Sequence, residues 1–139
     1  MLDDNNEFDR FTGQIAHPKE GYDIPEILAK EVIHILCQLK DKSPEKRIEY
    51  LNHTNVDTSL VFYMRHVAAE YMQKEYSIYS YQDIFDIKTN KGRGGATEIS
   101  AFARYFNLEL HLIDFNSEGK LIYRKMSRSD RGFREPVSV

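Results

Sequence analysis

The sequence predicts an α+β fold, with a helical lobe of about three to four helices followed by a helix and an antiparallel hairpin of a small sheet. Three observations carry that expectation. Apolar residues recur at three- and four-residue spacing through residues 23–75, the signature of amphipathic helices. The stretch TEISAFARYFN keeps that spacing and runs directly into LELHLID, where apolar and polar residues alternate. Asn116-Ser117-Glu118-Gly119 then supplies turn chemistry before a second alternating run, KLIYRKM, so residues 108–126 read as a hairpin.

Each element has its own start and stop signals. Residues 1–22 mix acids with Gly13, Pro18 and Gly21 around Phe8, Phe11 and Ile15, and are expected to form an irregular lead-in. Asp23 and Glu26 have capping-box spacing, and Ile27, Leu28, Val32, Ile35, Leu36 and Leu39 then form an apolar stripe that stops near Lys40 to Lys42. Ser43-Pro44-Glu45 is an N-cap with proline in the first turn, and Ile48 and Leu51 give this short helix one buried side. Asp57 can cap a third helix, to about Glu75, in which Leu60, Met64, Val67, Ala68 and Tyr71 face inward.

Residues 76–87, YSIYSYQDIFDI, hold at most a short helix from Ser80, ahead of a KTNKGRGG loop. Thr97 caps the next helix, with Ile99, Phe102, Ala103 and Phe106 facing inward and Asn107 closing it. Val137 to Val139 reads as the start of a further strand. Domain organisation follows: 1–22 is the lead-in and 23–139 one folded region, divided into a helical lobe at 23–87 and a partial sheet at 97–139. At 139 residues the chain suits one domain, large enough to bury roughly two-thirds of its extended surface.

Charge and cysteine content exclude several function classes. Net charge is -3, so there is no general attraction to nucleic acid, although residues 120–139 hold six basic and two acidic side chains. Apolar runs stay short of the ~18 residues of a membrane span, so no membrane role is expected. Cys37 is the only cysteine, which rules out an internal disulfide and cysteine-ligated zinc. The acidic N-terminus is unlike a signal peptide, and a cytoplasmic location is expected, or the host cytosol for a secreted bacterial effector.

Candidate catalytic groups fail on placement. Cys37 lies near the end of a helix, where the dipole disfavours a thiolate, and reads as a structural cysteine one turn from a half-buried His34. His53, His66 and His111 lack partners at metal-ligand spacing, and His111 and Asp114 point to opposite faces of a strand. KGRGG lacks the lysine and preceding strand of a phosphate-binding loop. No catalytic residue, cofactor or metal is therefore expected. The tyrosine-rich segment is the most partner-like feature, because aromatic residues dominate binding hot spots; the competing reading is that it only covers the core.

LVFYMRHVAAEYMQKE at residues 60–75, a short aromatic segment, a loop and TEISAFARYFNLELHLIDFN together resemble the otubain branch of the ovarian-tumour (OTU) cysteine deubiquitinases. Arg65 and Tyr71 match that family's long helix, and Glu98, Ile99, Ala101 and Ala103 match its Glu-Ile-x-Ala-x-Ala helix, over a resemblance spanning roughly residues 22–126. The family's Asp-Gly-x-Cys nucleophile and Gly-His base motifs have no counterpart here, so no catalytic role carries over. The resemblance implies the ubiquitin-recognising part of an OTU-like enzyme, as an internal piece of a larger enzyme or as a dead relative. Ubiquitin or polyubiquitin is the expected partner, contacted by Ile78, Tyr79, Tyr81 and Phe115. A non-enzymatic interaction module is the alternative.

Overall fold

A computed structural model describes residues 4–76, 80–89, 96–126 and 137–138. The protein is mostly helical, with short strands. Helices α1 (Asp4–Ala16), α2 (Glu26–Lys40), α3 (Pro44–Leu51), α4 (Thr54–Glu75), α5 (Tyr81–Lys88) and α6 (Ala96–Phe106) precede β1 (Leu110–Phe115), β2 (Leu121–Met126) and the two-residue β3 (Val137–Ser138). β1 and β2 are antiparallel, from Leu110 opposite Met126 to Phe115 opposite Leu121, and β3 pairs antiparallel with β2.

The first correction concerns the N-terminus. Residues expected to be irregular form α1, and Ile15 on that helix is fully buried. Phe8, Phe11 and Ile15 are spaced three and four apart and so share a face. Phe11 meets the Phe106 ring edge-on at 5.1 Å, while Gln14 Nε2 donates to the Phe106 carbonyl at 3.5 Å. The connection onward is fastened to α6 as well. The Lys19 amide donates to Tyr105 Oη at 2.9 Å, and Tyr22 packs edge-on against the same ring.

α6 is the hub. Ser100, Ala101, Phe102, Ala103, Tyr105 and Phe106 are all buried, so this helix is covered on more than the single stripe its periodicity predicts. Phe106, fully buried, has the Phe102, Tyr105 and Tyr63 rings within 6.4 Å. Alanines at 68, 69, 101 and 103, all at most 1% exposed, let the backbones of α4 and α6 approach closely. Asn107 then adopts φ 56°, a left-handed helix stop that asparagine tolerates, with the Leu108 amide donating to the Ala103 carbonyl.

Several local expectations are revised. α2 has no capping box: Pro25 is its N-cap, no side chain caps it, and the Asp23 amide donates instead to Glu70 on α4. α4 begins at Thr54, so Asp57 lies in its first turn and is not the cap. Ile27 and Ile48, expected inside, are 75% and 63% exposed, and α3 buries no residue. Both sit on a short or terminal helical turn whose apolar stripe is not covered among the described residues. Ser43 does cap α3, and Ser80 with Asp83 forms a complete capping box on α5.

The hairpin turn is built as its residues suggest. Asn116 Oδ1 accepts from the amides of Glu118 and Lys120, and Gly119 takes φ 79°, the left-handed position that favours glycine. The strands pair with each other, whereas α6 spends its buried surface on α1 and α4. Leu108 and Leu110 pack at the margin of the helical core and anchor the hairpin there.

Candidate functional site

α4 and α6 enclose a small cleft of about 170 Å³. Val61, Met64, Arg65 and Ala68 line one wall, at the spacing that puts them on one helical face; Glu98, Ile99 and Phe102 line the other. The floor is apolar, with Arg65 and Glu98 contributing charge to the lining. Met64 remains 37% exposed although its position in the α4 stripe predicts burial. Such a space accepts one apolar side chain. Its lining has no cysteine, serine or histidine, and Glu98 is its one carboxylate.

α5 lies on another side of α4. Ile84 on α5 is buried in the core, while Tyr81 and Phe85, one turn apart, are 87% and 54% exposed. Beneath them, Lys88 Nζ donates to Glu70 Oε2 at 2.7 Å, and Glu70 Oε1 accepts the Asp23 amide at 2.7 Å. His66 Nε2 donates to the Asp23 carbonyl at 3.0 Å. The Glu70 carboxylate thus joins α4, α5 and the entry to α2.

Electrostatics follow from these contacts. Burial by itself pushes the Glu70 carboxyl up, but the Lys88 hydrogen bond, the Asp23 amide and the Lys88 and His66 charges outweigh it, and the group ends below its usual range. His66 is held below the usual histidine value, first by burial, against the opposing Asp23 hydrogen bond, with Lys88 adding to the depression. Burial, with the nearby Glu75 charge, pushes the Tyr22 phenol up to about 12, and Tyr63 is raised further by burial.

Of the residues expected to contact a partner, Tyr81 is placed at the start of α5, exposed. Phe115 ends β1 opposite Leu121; its side chain, like Ile78 and Tyr79, lies outside the described residues. Cys37 and His34 are both exposed on α2, which corrects the expectation that they pack structurally; among the described residues no element covers the helix face they occupy. Among the described residues no group of three metal-ligating side chains comes together, and no helix is long and apolar enough to cross a membrane.

One constellation escaped sequence reasoning. His111 Nε2 lies 3.0 Å from Glu109 Oε1, and His111 Nδ1 is hydrogen-bonded to Tyr123 Oη. Residues 109 and 111 share a face because they are two apart, and Tyr123 reaches them diagonally across the hairpin, since His111 pairs directly with Lys125. The register of the hairpin, once fixed by its turn, was the available signal. Glu109 and His111 are solvent-exposed and Tyr123 is half-buried. No protein-family description matches the chain, and no curated protein or solved structure matches it either.

Proposed function

We propose that the chain is the ubiquitin-recognising part of an OTU-like cysteine deubiquitinase, with an α+β arrangement in which α6 and the hairpin form one margin of the catalytic sheet. Isopeptide hydrolysis belongs to the complete enzyme, with a thiol nucleophile and histidine base that this chain does not carry. One observation chiefly supports the reading. Arg65, Glu98 and Ile99, three of the six residues that carry the family resemblance and drawn from both of its stretches, line a single cleft between α4 and α6. The matched alanines Ala101 and Ala103 are buried on the same helix, which gives the Glu-Ile-x-Ala-x-Ala pattern a packing role beside its cleft-lining one.

Titrating ubiquitin into the isotope-labelled chain tests this. Amide shifts at Val61, Met64 and Ile99 are expected, and an unperturbed spectrum at about 1 mM ubiquitin removes the proposal. A ubiquitin-derived thiol-reactive probe is expected to leave Cys37 unlabelled. Labelling there would replace a recognition role with a catalytic one.

A second reading, a non-enzymatic interaction module, has its own support: α6 packs against α1 and α4 rather than beneath the hairpin. A module of this kind has no reason to select ubiquitin. The same titration separates the two, because an unshifted spectrum is its expected result.

A further inference from the structure

Glu109, His111 and Tyr123 form a chain of carboxylate, imidazole and hydroxyl on the hairpin. An ionised carboxylate only accepts, so the hydrogen of the His111 ring sits on Nε2 and donates to Glu109 Oε1 at 3.0 Å. Nδ1 is then the accepting nitrogen, and the Tyr123 hydroxyl donates to it. The centroids of the two rings are 5.4 Å apart. The phenol proton therefore has an acceptor already in contact, and that acceptor is oriented from its far side.

Strand pairing holds the arrangement. Tyr123 is on β2, the middle strand, with Ile113 of β1 and Val137 of β3 as its register neighbours. Glu109 and His111 are exposed and Tyr123 is half-buried, so the trio meets solvent. A hydroxyl within hydrogen-bond reach of a base that a third group orients is the arrangement by which a side chain attacks a carbonyl. Phosphoryl transfer asks for something else, cations and positioning around the phosphate oxygens. What this trio supplies is a proton acceptor at a hydroxyl, which suits attack on an acyl carbon whose leaving group departs unaided.

We propose that Tyr123 is an acyl-accepting nucleophile toward activated esters, with His111 as its base and Glu109 as the residue that positions His111. The phenol oxygen bonds to the acyl carbon, the bond to the ester's leaving oxygen breaks and its electron pair departs with that oxygen, and the phenol proton passes to Nδ1 and on to water. This role is independent of ubiquitin recognition.

The full chain would be treated with p-nitrophenyl acetate and acetylation followed residue by residue by mass spectrometry. Tyr81, 87% exposed and with no base hydrogen-bonded to it among the described residues, is the internal reference. Tyr123 should be acetylated at least about tenfold faster than Tyr81, although it is the less exposed of the two. His111→Gln should bring Tyr123 down to the Tyr81 rate and leave Tyr81 unchanged. Glu109→Gln should slow Tyr123 about threefold to tenfold in the parent and not at all in the His111→Gln background, because it acts only through His111. An equal loss in both backgrounds overturns the positioning role of Glu109. Acetylation of Tyr123 no faster than that of Tyr81 in the parent, a comparison that needs no variant to fold, overturns the nucleophile, as does a Tyr123 rate untouched by His111→Gln.

Discussion

α6 and β1 are separated only by residues 107–109, yet they are held in place by different means. The helix is enclosed by α1 and α4, with Phe106 fully buried under four aromatic rings. The hairpin is held by its own ladder and by its turn, and joins the core through Leu108 and Leu110. Stability should therefore be divided: the helical body is one cooperative unit, and the outer end of the hairpin can open without it. The α4–α6 cleft lies in the first unit, and Phe115 lies at the turn end of the second.

The largest effects should come from the body. Phe106→Ala removes a ring that touches α1, α4 and α6 together, and should cost about 3–5 kcal/mol in chemical denaturation. Ile15→Ala should cost about 2–4 kcal/mol, because the side chain is fully buried. That second figure breaks or keeps the place of α1 in the core. A value near zero would return residues 4–16 to the status of a loose lead-in.

Next in size is the ion pair across α4 and α5. Glu70→Gln keeps the shape but removes the charge facing Lys88, and should cost about 2–3 kcal/mol, while Glu70→Leu combined with Lys88→Met should recover much of it. The pH dependence has a definite sign. The folded state depresses the Glu70 carboxyl below its usual 4.5, so its contribution is complete above that value and is lost as pH falls through the folded pKa. His66, depressed from 6.5, resists protonation in the fold, so its share is lost as pH falls below 6.5 through its own folded value. Urea midpoints measured from pH 7 to pH 3 should fall in two stages. His66→Gln should remove the upper stage alone, and a midpoint that rises on acidification would contradict both assignments.

Sequence pattern reached most of the helices through their apolar stripes more than their caps: the stripe through Val67, Ala68 and Tyr71 packs on the core and Ser43 caps α3 as expected, whereas Asp23 and Asp57 do not cap α2 and α4, and Thr97 lies inside α6, which begins at Ala96. α1 was lost for a physical reason. Gly13 lowers helix propensity by about 1 kcal/mol and Pro18 follows closely, so local signals argued for irregular chain. Burial of Ile15 and the Phe11–Phe106 contact offset that cost, and neither is visible without the partner helix. Ile27 and Ile48 show the converse, since periodicity names a face but not whether anything covers it. The candidate cleft was half legible. Arg65, Glu98 and Ile99 stood out by resemblance, but their convergence depends on alanines at 68, 69, 101 and 103 that bring two helices together, a tertiary property.

The smallest effect sharpens the division most. Gly119 sits at φ 79° with open space around it, so Gly119→Ala meets no clash and loses only the backbone preference for the left-handed region, about 1 kcal/mol. If the hairpin is a separate unit, that loss stays within it. Hydrogen exchange should accelerate severalfold at the amides that pair β1 with β2, while protection of α4 and α6 and the global denaturation midpoint remain as in the parent. If instead the hairpin is cooperative with α6, exchange in α6 must accelerate in step with exchange in the hairpin. The two outcomes differ because Leu108 and Leu110 are either a hinge between two units or a continuous part of one core, and a change at the far end of the turn reaches α6 only in the second case.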